Sequence, residues 1–195
     1  MANITKDSVT YVLKICAILL VITMCVAFLL SFVNAVTKDT IAANDAAKIA
    51  AALGGLFPEA AAPEATSVDG SYAAEVKGFY EVKDGENVIG YYADVAPVGF
   101  KGAVNMMVGI STDGKVVGVK ILSHGETIGI GTKIEEEGFL SGFIGRFGSL
   151  AYKKGASADE TGVIDGISGA TYSSKAVIVG VDAALGAYNT AKGGN

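Results

Sequence analysis

The sequence predicts an α+β protein in which a single N-terminal transmembrane helix precedes one domain of antiparallel β-hairpins and flanking helices. Three observations support this fold class. One long uncharged apolar run lies near the N-terminus, two Asp-Gly turns each join a pair of strand-like segments, and apolar residues recur at helical spacing near the C-terminus. The predicted organisation has three parts: an anchor (1–36), a helical extension with a linker (37–71) and a folded domain (72–195).

The N-terminal apolar run is long enough to cross a bilayer. Residues 15–33 are 19 residues without a charge, and as a helix they extend about 28 Å, close to the thickness of a bilayer core. A cleaved signal peptide is the alternative, since Val33-Asn34-Ala35 is an acceptable cleavage site, but the run is longer than a usual signal-peptide core. We predict a retained anchor that contacts lipid through residues 15–33. Lysines flank it on both sides, so charge leaves its orientation open (Lys6, Lys14, Lys38 and Lys48).

Composition and charge exclude several classes of function. The net charge is −5, and two lysines and one aspartate give residues 1–36 a charge of +1, which leaves −6 for residues 37–195. This acidic balance without a basic cluster gives no support for nucleic-acid binding. Both cysteines, Cys16 and Cys25, lie in the apolar run, so we expect neither thiol catalysis nor a cysteine-bound metal in the polar part. His124 is the only histidine, and we predict no metal site.

The polar part of the chain alternates strand and helix signals. An alanine-rich segment up to Leu53 continues the first helix, and Glu59–Ser67 is predicted to be a linker or an irregular surface segment. The aromatic residues of the domain, Phe100 among them, could shield a ligand ring but are ordinarily core. The predicted elements are strands at 75–82, 87–95, 104–110 and 115–122, a glycine-rich bend at 98–102, a glycine-rich loop at 123–133, and helical segments around 134–147 and 173–190.

The stretch that ends at Thr171 carries the strongest chemical signal. Gly169 and Ala170 leave space around the Thr171 hydroxyl, and glycine permits a sharp turn. Because a helical apolar pattern begins just after it, Thr171 is predicted to lie at a helix N-terminus, with Ser173 or Ser174 as the N-cap. Backbone N–H groups and the helix dipole favour an anion there, a phosphate above all. The alternative is a capped helix that follows a glycine turn and binds nothing.

This stretch resembles the flavinylation motif of covalent FMN-binding domains, Asp-x-x-Ser-Gly-Ala-Thr, in which a transferase joins FMN through its phosphate to the last threonine. Every specified position matches: Asp165, Ser168, Gly169, Ala170 and Thr171. The resemblance implies a phosphodiester between the Thr171 side chain and riboflavin 5′-phosphate. Ser168 would then bond the phosphate, or else merely satisfy the turn. Asp165 would serve transferase recognition or metal-assisted attachment, or else form a turn.

A second segment resembles another motif of the same family. The family has Glu-Thr-Pro-Gly-Leu-Gly after a β-hairpin, and residues 126–131 match four of the six positions, with isoleucine replacing proline and leucine. The resemblance places this loop against the isoalloxazine ring. It implies that polar side chains contact ribityl or ring atoms, that the isoleucines pack on the ring, and that the lysine stabilises phosphate or reduced flavin unless it is simply solvated. The residues concerned are Glu126, Thr127, Ile128, Gly129, Ile130, Gly131 and Lys133.

The whole order of segments resembles the G subunits of the Rnf complex, the ion-translocating ferredoxin:NAD⁺ oxidoreductase. The resemblance implies a single-pass protein of the prokaryotic inner membrane with an extracytoplasmic FMN domain. That domain would relay electrons between membrane and iron–sulfur partner subunits while the complex moves Na⁺ or H⁺. We expect no catalytic residue in this chain. Two alternatives stay open: a membrane-anchored FMN carrier of another respiratory or extracellular pathway, and a scaffold protein without a redox role.

Overall fold

The computed structural model of the chain confirms the predicted fold class. It describes residues 6–155 and 162–193, and it has a long N-terminal apolar helix followed by an antiparallel sheet with flanking helices. The chain divides into two compact units, Met1–Ala47 and Lys48–Asn195.

Helix α1, Lys6–Leu56, extends beyond the predicted span because nothing in its sequence stops it before Gly54 and Gly55. Its alanine and leucine residues favour a helix, whereas glycine is a poor helix former. The helix is long and apolar enough to cross a membrane. Its side chains at residues 10–51 are exposed, so they do not belong to the core of the second unit.

The second unit is built on one five-stranded antiparallel sheet in which each strand pairs with the next along the chain. Both predicted hairpins are confirmed. Their turns use positive φ angles at Gly85 (63°) and Gly114 (82°), which glycine adopts without strain. The strands are β1 (Pro63–Ser67), β2 (Val76–Asp84), β3 (Asn87–Val95), β4 (Asn105–Ser111) and β5 (Val116–Ser123).

Strand β1 lies in the segment that the sequence interpretation gave to a linker. It pairs along β2, from Pro63 opposite Asp84 to Ser67 opposite Tyr80. Because β1 is an edge strand, proline is tolerated at its first residue. Alanine and glutamate have a low preference for strands, so the extended conformation of this segment depends on its pairing with β2 more than on its own composition.

The sheet buries both of its faces. Successive residues of β4 alternate between them: Met106 and Val108 belong to the main core, whereas Met107 belongs to a second apolar cluster. Helix α3, Thr171–Ala191, packs on the main-core face against β2, β3 and β4. The last turns of α1 pack in the second cluster. The main core therefore fixes the N-terminal end of α3 relative to the sheet.

Between β5 and α3 the chain forms short elements, so the helical segments predicted around residues 134–147 are present as three short pieces. Gly138, Gly142 and Gly145 weaken a helix there, and Gly145 adopts a positive φ of 78°. Two buried side chains, Ile134 and Phe143, hold the segment on the core. The elements are a 3-10 helix (Gly131–Glu135), α2 (Glu137–Leu140), a second 3-10 helix (Ser141–Phe143) and the parallel strands β6 (Ala151–Lys153) and β7 (Val163–Asp165).

Candidate functional site

A cleft opens at the N-terminal end of α3, and it brings the two sequence motifs together. It encloses about 350 Å³, within the usual size range of small-molecule pockets. Three segments form its walls: the bend after β3, the loop after β5 and the turn into α3. The residues that line this α3 cleft are Phe100, Thr127, Ile130, Gly131, Gly169, Ala170, Thr171, Tyr172 and Ser173.

Thr171 is the first residue of α3 and lies half-buried on the cleft wall. Gly169, with a φ of 85°, turns the chain into the helix in a conformation that favours glycine. Ala170 is the N-cap, and no side-chain hydrogen bond caps the helix. Because the first N–H groups of an α-helix have no intrahelical partner, the first turn of α3 can bind an anion beside the Thr171 hydroxyl.

The prediction that Ser173 or Ser174 caps α3 is wrong, because the helix begins at Thr171 and both serines are buried inside its first turn. The Ser174 hydroxyl donates to the Ala170 carbonyl (2.9 Å) and accepts the Ile167 N–H (3.0 Å). This serine therefore connects the turn to the helix and helps to fix the position of Thr171.

Glu126 lies behind the cleft wall rather than on it, and only 5% of the residue is exposed. One carboxylate oxygen accepts the Lys101 N–H (3.0 Å), and the other accepts the Ser173 hydroxyl. The sequence interpretation has this side chain contacting a ligand, whereas in the structure both of its oxygens bond to the protein. Glu126 thus connects the bend to the first turn of α3.

Hydrogen bonds keep Glu126 ionised in its buried position. Burial alone would raise the pKa of this carboxyl, but the Ser173 hydroxyl and the backbone N–H groups of Lys101 and Phe100 stabilise the carboxylate, so that its pKa is lowered. The Nδ1 atom of His124 accepts the Glu126 N–H (3.1 Å). The single histidine of the chain therefore supports the loop that carries Glu126.

Two exposed aromatic rings border the cleft. Phe100 is 65% exposed, which makes the prediction that it belongs to the core wrong, and Tyr172 is 69% exposed. Their ring centroids are 6.1 Å apart, with the planes at 42°. Apolar rings left in water beside a cleft are typical of a ligand site. Sequence reasoning missed Tyr172, although an aromatic residue directly after Thr171 was the available signal.

The other motif residues lie around the cleft without lining it. Asp165 ends β7, and its Oδ1 atom accepts the N–H of Gly155, which follows β6 (2.7 Å). The loop tip points into water, with Ile128 89% exposed. Their contacts with a cofactor stay predictions. The exposed motif positions that do not line the cleft are Ile128, Gly129, Lys133, Asp165 and Ser168.

The cleft fits a flavin mononucleotide. The first turn of α3 offers N–H groups to a phosphate at Thr171, and Gly169 has no side chain that would narrow the cleft. Phe100, Tyr172 and Ile130 offer apolar contact to a planar ring system. Within residues 6–155 and 162–193, no group of three or more histidine, cysteine or acidic side chains could hold a metal ion.

Comparison with known domains agrees with this geometry. The FMN-binding domain family matches residues 99–186, a range that contains all three walls of the cleft. The fold is similar to the crystal structure of the C subunit of the Na(+)-translocating NADH-quinone reductase from Parabacteroides distasonis, with a TM-score of 0.50 and 25% sequence identity. That similarity covers 58% of this chain and 61% of the other.

Two curated relatives show how far the similarity extends along the chain. Over 190 residues the sequence is 30% identical to the G subunit of the Na(+)-translocating ferredoxin:NAD(+) oxidoreductase complex of Acetobacterium woodii, and the match covers 91% of each protein. It is 37% identical over 105 residues to the G subunit of the ion-translocating oxidoreductase complex of Pectobacterium atrosepticum. In that case the chain spans about half of the relative, 49% of its length.

Proposed function

The chain belongs to the family of G subunits of ion-translocating oxidoreductase complexes, and we propose that it carries one covalently bound FMN and relays electrons within an Rnf-type ferredoxin:NAD⁺ oxidoreductase. The observation that supports this most is the α3 cleft, where the threonine of one motif meets the glycine-rich loop of the other. A flavin supplies the electron chemistry, while the protein holds it, limits access of water and tunes its potential.

Thr171 is the proposed attachment point. An FMN transferase would catalyse the reaction, with a flavin phosphoanhydride as the donor. The Thr171 hydroxyl oxygen forms a bond to the phosphorus and loses its proton, while the anhydride P–O bond breaks and the displaced phosphate leaves. The position of Thr171 supports this role because the first N–H groups of α3 stabilise an anionic product beside it.

The cleft walls would hold the flavin ring. A linkage through the phosphate does not fix the ring, so contacts with Phe100, Ile130 and Tyr172 would orient it. Donor and acceptor would be cofactors of the membrane and iron–sulfur partner subunits, and no substrate pocket is needed. We therefore expect no independent catalytic activity from this chain.

Helix α1 would anchor this domain in the prokaryotic inner membrane. In our proposal residues 15–33 contact lipid, the chain crosses the membrane once, and the FMN domain is extracytoplasmic. A single apolar helix offers no polar lining for an ion path. Translocation of Na⁺ or H⁺ would therefore be the work of polytopic partner subunits.

The test of the proposal is flavin fluorescence in a denaturing gel. The full chain is produced together with an FMN transferase as wild type, as Thr171→Ala and as Thr190→Ala, a matched control at an exposed threonine of the same helix. We expect a fluorescent band for wild type and for the control, and none for Thr171→Ala. A dark wild-type band would favour the scaffold alternative, and a fluorescent Thr171→Ala band would place the linkage elsewhere.

A further inference from the structure

We infer that Glu126 is a positioning residue whose buried carboxylate ties the three walls of the α3 cleft together and so fixes the shape of the site before a flavin enters it. This tie is the pair of hydrogen bonds that the Glu126 carboxylate accepts from Lys101 and Ser173, and it lies wholly within the chain. Its effect on the flavin rests on the proposed function, and the two can be tested separately.

Glu126 is buried but does not line the cleft, so direct contact with a ligand does not explain why an acid is present at this position. Among the residues that the structure describes, the buried polar side chains are those of Glu126, Ser173 and Ser174, and the first two bond to each other. An ionised carboxylate taken out of water carries a large free-energy penalty unless hydrogen bonds replace the lost hydration. Here the protein supplies those bonds from two separate segments.

Each hydrogen bond of the Glu126 carboxylate reaches a residue that lines the cleft or directly follows one that does. The Lys101 N–H, 3.0 Å from the carboxylate, belongs to the residue after Phe100. The Ser173 hydroxyl, bonded to the other oxygen, belongs to the cleft lining and to the helical turn that begins at Thr171. The backbone of Glu126 itself continues into Thr127, which lines the third wall. One carboxylate therefore joins the bend, the loop and the helix.

Two glycines make room for this arrangement. A Cβ atom at Gly99 would lie 2.6 Å from a carboxylate oxygen of Glu126, and one at Gly131 would lie 2.8 Å from the Glu126 Cβ atom. Both distances are shorter than real Cβ contacts, so a larger side chain at either position would displace Glu126. Glycine on both sides allows the bend and the loop to approach the carboxylate closely.

The choice of glutamate matters because a carboxylate only accepts hydrogen bonds, and the Lys101 N–H can only donate. In Glu126→Gln the amide oxygen can face Lys101, and the NH₂ group then faces the Ser173 hydroxyl, which can rotate to accept. Glutamine therefore keeps the shape and loosens the tie, whereas Glu126→Ala removes it. The predicted order of cleft rigidity is wild type, then Glu126→Gln, then Glu126→Ala.

Hydrogen exchange tests the tie without a flavin. The full chain, produced without the transferase, is compared with Glu126→Gln, Glu126→Ala and Glu136→Gln, a control at an exposed acid of the same region. We expect the Lys101 amide to exchange at least about tenfold faster in Glu126→Ala. The acceleration should be smaller in Glu126→Gln and absent in the control. Equal exchange in all four proteins overturns the inference, and Glu126→Gln decides alone if Glu126→Ala does not fold.

The flavin-loaded chain tests the consequence for the site. The same variants, produced with the transferase, are expected to keep the flavin band in a denaturing gel. Their native flavin should lose visible circular dichroism in Glu126→Ala, and partly in Glu126→Gln, because the ring is no longer held in one orientation. A structural defect elsewhere in the domain would lower the yield of folded protein, but it would not change the visible circular dichroism per bound flavin. Failure of the proposed function would show as an unlabelled wild type, whereas unchanged dichroism in labelled variants would refute positioning.

Discussion

At the N-terminus of α3, the Thr171 hydroxyl lies among features that each favour a phosphate ester. Gly169 turns the chain with a positive φ, Ala170 leaves the first helical turn without a side-chain cap, and half-burial limits the access of water. The helix dipole adds a partial positive charge at the same place. A threonine elsewhere on the surface would have none of these, so the local backbone, more than the residue type, singles out this position.

The two exposed rings beside Thr171 lead to a prediction about the fluorescence of the bound flavin. In Tyr172→Ala we expect native flavin fluorescence to rise, because a tyrosine in contact with a flavin quenches its emission by electron transfer. Phe100→Ala removes a ring that cannot quench in this way, so it should change the fluorescence much less. Both rings are exposed, so the free energy of unfolding should change by no more than about 0.5 kcal/mol. Phe147→Ala, at an exposed ring outside the cleft lining, is the control and should change neither quantity. Unaltered fluorescence in Tyr172→Ala would argue against contact between this tyrosine and the flavin ring.

The lowered pKa of Glu126 predicts a pH dependence of stability with a definite sign. A carboxyl whose pKa is lower in the folded than in the unfolded state stabilises the fold above the unfolded pKa, and it loses this effect as pH falls through the folded pKa. The difference in unfolding free energy between wild type and Glu126→Gln should therefore shrink as the pH falls below the ordinary pKa of a glutamate, about 4.5. His124 and Glu135, which contact each other in this region, are present in both proteins, so the comparison isolates the side chain at position 126.

Chemical denaturation of both proteins at several pH values measures that difference. A difference that grows toward low pH would contradict the assignment of a stabilised carboxylate at Glu126.

Individual site residues could be predicted from the sequence where their surroundings are set by neighbouring residues in the chain. The small residues and the helical pattern that follows them predicted the turn at Thr171 from neighbours in sequence. The place of Glu126 could not be predicted in the same way, because its partner Ser173 is 47 residues away. Lys101 is likewise brought to Glu126 only by the folding of the bend between two hairpins.

Among the elements, α3 and the sheet approach each other closely at Gly180. A Cβ atom there would overlap the end of the Met106 side chain and lie 2.9 Å from Pro97 Cγ. Met106 is fully buried and proline is rigid, so neither can easily move away. This contact fixes how closely α3 lies on the sheet, and through it the position of the helix N-terminus at the cleft.

The same substitution at two glycines of α3 should therefore have opposite effects. Gly180→Ala is expected to lower the free energy of unfolding by about 1–3 kcal/mol through overpacking. Gly186→Ala is the control, since its Cβ would meet nothing within 4 Å and the position is exposed. It should raise stability by up to about 1 kcal/mol because alanine is the better helix former. Denaturant unfolding of the full chain in detergent measures both, and equal signs would contradict this packing.

The strands could be predicted where an Asp-Gly pair in the sequence indicates the turn of a hairpin. Asp84-Gly85 and Asp113-Gly114 identify the hairpins, and β3 has the predicted limits, Asn87–Val95. Strand β1 could not be predicted, because its alanine and glutamate residues have little strand preference and become a strand only by pairing with β2. The helical segments expected around 134–147 are short separate pieces, because glycines at 138, 142 and 145 interrupt the chain there.

On the scale of the whole molecule, the chain combines a 51-residue helix with a domain that has its own core. The two compact units differ in composition: the first contains the uncharged apolar run, and the second holds the FMN-binding domain match. With a covalent bond to the cofactor and a helix in the membrane, such a carrier would neither release its flavin nor dissociate from the membrane.

The anchor predicts that the full chain stays with membranes through high-salt and alkaline washes and is released by detergent. Introducing charge into the span with Ile22→Asp and Val26→Asp should abolish this, because each aspartate at mid-span costs roughly 2.5–3.5 kcal/mol. Ala43→Asp with Ala47→Asp, at the same spacing but outside residues 15–33, is the matched control and should leave partitioning unchanged. Equal partitioning of both double variants would contradict the assignment of the span.

The most direct test of the central claim is the mass of the Thr171 peptide. The native chain is isolated from membranes, its intact mass is measured, and its peptides are mapped by fragmentation. We predict an increment equal to one FMN less one water, located on Thr171 and on no other residue. An unmodified Thr171 peptide in material that still transfers electrons would contradict the account.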